Sequence, residues 1–163
     1  KFSTYSDPHS AQGAMSAARV TLSKGSGQIT LGYAQTADQA DIINPWRAFP
    51  SGGYTRAMAQ NTWFANTDSS MVALTYDFNK AGVIPGLYTA MSLSHIDVDN
   101  AKMNAGTVVY TDRDVVYADI IQTFASLPDT EFRIRFGAVD ADSYANGAND
   151  SYQEYRFEIN YLF

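Results

Sequence analysis

The sequence predicts an all-β fold: an antiparallel transmembrane β-barrel, of which this chain supplies about seven strands of the wall. Three observations lead there. Apolar and polar residues alternate with period two in seven segments, so each segment has one apolar and one polar face. The connections between segments alternate between short and long, as in outer-membrane barrels, where tight turns sit at one rim and long loops at the other. Aromatic residues reach 13% while charged residues are only 17%, against roughly 25% in ordinary soluble domains.

The segments lie at about 14–23, 28–37, 69–79, 86–96, 113–124, 131–140 and 152–163. Each has roughly the 9–11 residues that a tilted strand needs to cross the hydrocarbon layer. In "ARVTLS", Ala18, Val20 and Leu22 oppose Arg19 and Thr21. "QITLGY" sets Ile29, Leu31 and Tyr33 against Gln28, Thr30 and Gly32, and "SMVALTYDF" sets Val72, Leu74, Tyr76 and Phe78 against Met71, Ala73, Thr75 and Asp77. The fourth and fifth segments alternate less cleanly. They point Leu87, Met91 and Leu93, then Val116, Ala118, Ile120 and Phe124, to the apolar side. "EFRIRFGA" opposes Phe132, Ile134, Phe136 and Ala138 to Glu131, Arg133, Arg135 and Gly137. The closing "QEYRFEINYLF" alternates Tyr155, Phe157, Ile159, Tyr161 and Phe163 with Glu154, Arg156, Glu158 and Asn160.

"KGSG", "NKAGVIP" and "ASLPDT" are compact turns built on Gly or Pro. Between them lie three long polar connections rich in Asp, Asn and Gly, the longest spanning about 36–68. Seven antiparallel strands that end at the short-turn rim must start at the long-loop rim. Single-chain barrels have an even strand count with both ends on one side. The odd count is therefore expected to resolve in one of two ways. Either an eighth strand hides in "KFSTYSDPHSAQ", which Pro8 opposes, or the chain is the C-terminal part of a larger barrel. The start at Lys1, without methionine or leader, reads as a mature protein or a piece of one. Residues 1–163 are treated as a single barrel domain or barrel segment.

Several classes are disfavoured. No apolar run approaches the roughly 18 residues of a spanning helix. A net charge of −6 without clustered Lys and Arg argues against nucleic acid as a partner. The absence of cysteine fits a cell-envelope protein that avoids unwanted disulfides. A soluble β-sandwich also has period-two strands, but it does not require long and short connections to take turns.

The stretch "SSMVALTYDFNKAGVIPGLYTAMSLSHIDVD" resembles the strand, turn and strand of the OprD-type porin family, through Tyr76, Asp77 and Phe78 and then Pro85, Gly86 and Leu87. "GYTRAMAQNTWFANTDSS" and "YQEYRFEINYLF" resemble the same family's last third, so the likeness covers about 51–163. The resemblance implies an eighteen-stranded barrel, often a homotrimer, that passes amino acids, peptides and carboxylates. At seven strands this chain is well under half of such a wall. The resemblance also implies that the barrel assembly machinery reads an aromatic C-terminal strand, here at Tyr161 and Phe163.

On the barrel reading, Arg19, Asp119, Arg133, Arg135, Glu154, Arg156 and Glu158 line the lumen. Pairing about the "SLPDT" turn is expected to bring Asp119 near Arg135, and pairing across the last loop to bring Arg135 near Glu158. Opposed charges across a pore orient zwitterionic solutes and sort ions; the plainer reading is that the pairs neutralise each other and stiffen the wall. Under the resemblance, Arg133, Arg135 and Arg156 could continue the family's basic ladder. Trp46 and Arg47 in the long loop are candidates for a constriction, or Trp46 and Trp63 for headgroup anchors.

Enzyme chemistry finds little support. His9 and His95 stand alone, and no metal-ligand spacing or phosphate loop is present. Ser92, His95 and Asp97 are near in sequence, whereas serine triads are spatial. "DVDNAKMN" and "DADSYANGAND" lack the calcium-loop spacing, so neither metal nor cofactor is expected. The sequence thus leads to an outer-membrane porin of a Gram-negative bacterium, a passive channel for small hydrophilic solutes or ions, in contact with lipid and lipopolysaccharide. The alternatives are a small closed eight-strand barrel acting as anchor or adhesin, and a soluble sandwich that binds carbohydrate.

Overall fold

Residues 14–38, 65–99 and 111–161 are described in the computed structural model. They form one seven-stranded antiparallel sheet whose spatial order follows the sequence. The strands are β1 (Met15–Lys24), β2 (Gly27–Thr36), β3 (Thr67–Asp77), β4 (Leu87–Val98), β5 (Arg113–Phe124), β6 (Leu127–Ala141) and β7 (Tyr152–Tyr161). β1 and β7 each pair with a single neighbour, so the sheet is open at both edges among the described residues.

The register keeps every apolar set on one face. Val20, Leu31, Val72, Leu93, Val116 and Ala138 stand opposite one another across six strands. A slip of one residue in any pair would send that strand's apolar set to the other face. The apolar face is open: Tyr155, Phe157, Ile159 and Tyr161 are 60%, 76%, 72% and 61% exposed. A sandwich would have buried these four side chains beneath a second sheet.

The short turns set the register. Gly25 and Ser26 alone join β1 to β2, and Gly25 at φ 60° supplies the positive first angle of a type II′ hairpin turn. The 78–86 turn is held by side chains: Asp77 Oδ1 accepts Lys80 N at 2.8 Å and Asn79 Oδ1 accepts Gly86 N at 3.0 Å. Gly86 has φ 75°, and a Cβ there would lie 2.1 Å from the Thr123 carbonyl oxygen. Its backbone is therefore pressed against β5, and Thr123 N donates to Gly86 O at 3.0 Å.

Most strand limits lie within two residues of the sequence reading. The exception is β6, which begins at Leu127 rather than near 131. The β5–β6 turn is Ala125 and Ser126, and "LPDT" belongs to the strand as an irregular stretch. The register jumps between Thr123 and Phe124, and Asp129 takes φ 61°. Pro128, which has no N–H, is tolerated where the ladder is interrupted. The longest connection is correspondingly 37–66.

Candidate functional site

Most charges of the polar face lie on β5, β6 and β7. Asp119, Arg135 and Arg156 stand opposite one another in one row. In the next row, Ile121 faces Arg133, which faces Glu158. Long side chains reach diagonal neighbours across such a ladder, and here the diagonals take over. Arg133 Nε donates to Asp119 Oδ1 at 2.9 Å and to Oδ2 at 3.1 Å, and its Nη2 also donates to Oδ2. Tyr117 completes the set by donating its hydroxyl to Asp119 Oδ2 at 2.9 Å. Arg135 Nη2 meets Glu158 Oε2 at 3.2 Å, and Arg156 Nε meets Glu154 Oε1 at 2.5 Å on the same strand.

Three carboxylates and three guanidiniums thus form three pairs with no net charge. The side chains of the Arg133–Asp119 pair are 25% and 6% exposed, and those of Arg156–Glu154 are 45% and 31% exposed. A carboxylate as covered as Asp119 persists only when its oxygens are satisfied, which the Arg133 fork and Tyr117 achieve. Towards β7 the charges stay accessible to whatever fills the space beside this face.

The remaining expected residues fall elsewhere. Arg19 shares the polar face but stands on β1, at the far edge of the sheet, in a row with Gly32 and Met71. Tyr161 lies on the apolar face opposite Thr130. Trp46, Trp63, Arg47 and Phe163 lie outside the described residues. Ser92 faces opposite to His95 and Asp97, so that trio does not assemble. In the 142–151 loop, "DADSYANGAND" uses its polar groups on its own shape. Asn149 Nδ2 donates to Ala141 O at 2.6 Å, and the Tyr144 hydroxyl donates to Asp150. That bond to a carboxylate holds the Tyr144 phenol above its ordinary pKa.

Three features escaped the sequence reading. Tyr117 is one of them: its parity with Asp119 places both on one face. The polar face is not polar throughout: Ile96, Val98, Val115, Val139 and Ala141 form a buried cluster near the long-loop rim, with Tyr117 packed against it. "HIDV", where Ile96 and Val98 take the parity opposite to Met91 and Leu93, and "DVVY", apolar at both parities, carried that signal. The apolar face in turn ends in carboxylates at the same rim. Asp68 faces Asp97, and His95, Asp114 and Asp140 follow one another across β4, β5 and β6. His95 Nδ1 and Asp114 Oδ1 are 2.8 Å apart.

The backbone has close counterparts among solved structures. Pseudomonas aeruginosa OccK11 (OpdR) superposes with a TM-score of 0.75 at 13% identity, over 93% of this chain and 40% of that one. Pseudomonas aeruginosa OccK5 (OpdH) gives 0.67 at 18% identity, over 91% and 39%. Both are outer-membrane β-barrel porins. The fold is OprD-like. At these identities the likeness is one of fold, and the chain spans about two fifths of the length of either neighbour. No family model matches the chain, and no curated protein matches it.

Proposed function

We propose that this chain is wall from an outer-membrane porin of a Gram-negative bacterium, a passive diffusion channel for small hydrophilic solutes. The apolar face meets acyl chains, and the face bearing Asp119, Arg133, Arg135, Glu154, Arg156 and Glu158 meets channel water. One observation carries this reading: seven strands hold one register in which an exposed apolar face backs a face bearing three ion pairs. The porin-like neighbours support it. Among the described residues β1 and β7 do not pair with each other, which favours a wall completed by further strands over a small closed barrel. Selection follows from lumen width and from the field of the paired charges, without chemical turnover. In this reading the assembly machinery recognises the last strand through Tyr161 and Phe163.

The test is conductance in a planar lipid bilayer. An open channel gives ohmic steps. A filled eight-strand anchor gives none, and a protein that stays monodisperse in water without detergent removes both membrane readings.

A further inference from the structure

The exposed apolar face is not smooth. A groove of about 700 Å³ crosses β1 to β5 between two rows of side chains. One wall is Leu22, Ile29, Leu74, Met91 and Ala118, which stand opposite one another in the ladder. The other is Lys24, Gly27, Tyr76, Thr89 and Ile120, the next row on the same face. The residues between them point to the polar face, so the floor is backbone. Small side chains at Gly27, Thr89 and Ala118 widen the gap. Five strands at about 4.8 Å spacing give a length of roughly 19 Å, close to that of an extended fatty-acyl chain.

The groove also has a direction. At β1 it starts at Lys24, next to the Gly25–Ser26 turn, whereas at β5 it passes Ile120, five residues before the turn at Ala125. It therefore climbs from the short-turn rim towards the middle of the apolar band. Lys24 is the charged residue at its low end and forms no ion pair among the described residues. The carboxylates of this face, Asp68, Asp97, Asp114 and Asp140, sit at the other rim. A second groove of about 570 Å³ runs parallel, but one wall is Ser70, His95 and Asp114, which does not suit a hydrocarbon occupant.

Resting on the porin reading, we propose that the first groove is a phospholipid site. One acyl chain lies between the two rows, and the headgroup phosphate sits on Lys24 at the short-turn rim. That rim faces the periplasm in outer-membrane barrels, so the occupant is an anionic phospholipid of the inner leaflet.

The test is native mass spectrometry of the folded chain, released from mixed micelles containing equimolar phosphatidylglycerol and phosphatidylcholine. The expected result is one retained phosphatidylglycerol. Lys24→Gln should lower its preference over phosphatidylcholine about five-fold, the effect of the ~1 kcal/mol that one interfacial lysine contributes, and Lys24→Arg should restore it. Thr89→Trp, which fills the groove, should lower retention of both lipids. Equal retention of the two lipids by the unaltered chain, or indifference to Lys24→Gln, overturns the site while leaving the porin reading intact. A chain that remains monodisperse in water without detergent overturns both.

Discussion

Asp119 stands directly opposite Arg135 in the β5–β6 ladder, yet its carboxylate is held by Arg133, one alternation earlier on the same strand. The two partners differ in cover: the Asp119 side chain is 6% exposed and that of Arg133 is 25% exposed. Removing Arg133 strands a buried anion, whereas removing the Asp119 charge leaves a cation that can turn to water. Arg133→Ala should therefore cost about 3 kcal/mol, clearly more than Asp119→Asn. Urea unfolding of both variants in micelles measures the difference, and equal costs would mean that Asp119 does not depend on the fork.

The pair nearer β7 should govern ion selection rather than stability. Arg135 and Glu158 are 21% and 29% exposed in their side chains, so Glu158→Gln leaves a guanidinium in reach of channel water. A unit charge at about 4 Å in water is worth ~1 kcal/mol, which raises the local concentration of an anion roughly five-fold and lowers that of a cation by the same factor. The reversal potential across a potassium chloride gradient should move in the anion-selective direction. An unchanged potential would place this pair away from the conducting path.

The seven strands and the gathering of their apolar residues on one face were legible because every strand has a single exposed apolar face, and period two encodes that directly. Val20, Leu74 and Phe157 needed nothing more than their parity. The pairing partners of Asp119 were not legible to the same depth. The register places Arg135 opposite, but diagonal reach and the Tyr117 hydroxyl decide which guanidinium is engaged, and neither follows from spacing. The start of β6 was hidden for a different reason: Pro128 and Asp129 look like a turn, and only the interrupted ladder lets them sit in a strand. Val115 and Val116, apolar on consecutive positions, signalled that β5 carries apolar residues on both faces, one buried in the cluster near the long-loop rim and the other exposed.

The β1–β2 turn and the 78–86 turn contrast two glycines with similar φ. Gly25 has φ 60° with nothing within 4 Å of an added Cβ, whereas Gly86 has φ 75° and a backbone oxygen 2.1 Å away. Gly25→Ala should cost about 1–3 kcal/mol, the strain of a Cβ at this positive φ alone. Gly86→Ala should cost more, because Thr123 O must move and its hydrogen-bonded partner moves with it. Denaturant midpoints for the two variants compare them directly, and a Gly86→Ala protein as stable as Gly25→Ala would mean that β4 and β5 are not held so closely at this turn.

The strongest check on the assignment of faces is a charge placed on each. Ile134 is the central residue of β6, on the apolar face between Ile120 and Phe157. If that face touches acyl chains, Ile134 lies near the bilayer midplane, and Ile134→Arg should cost about 2–4 kcal/mol of folding free energy in vesicles. Thr21 is exposed on the opposite face, where its hydroxyl lies 3.1 Å from that of Thr30. Thr21→Arg, with water beside it, should change stability by no more than about 0.5 kcal/mol. Reversible unfolding from phospholipid vesicles gives both numbers. Should the two arginines cost the same, or Thr21→Arg cost more, the apolar face would not be the one in contact with lipid.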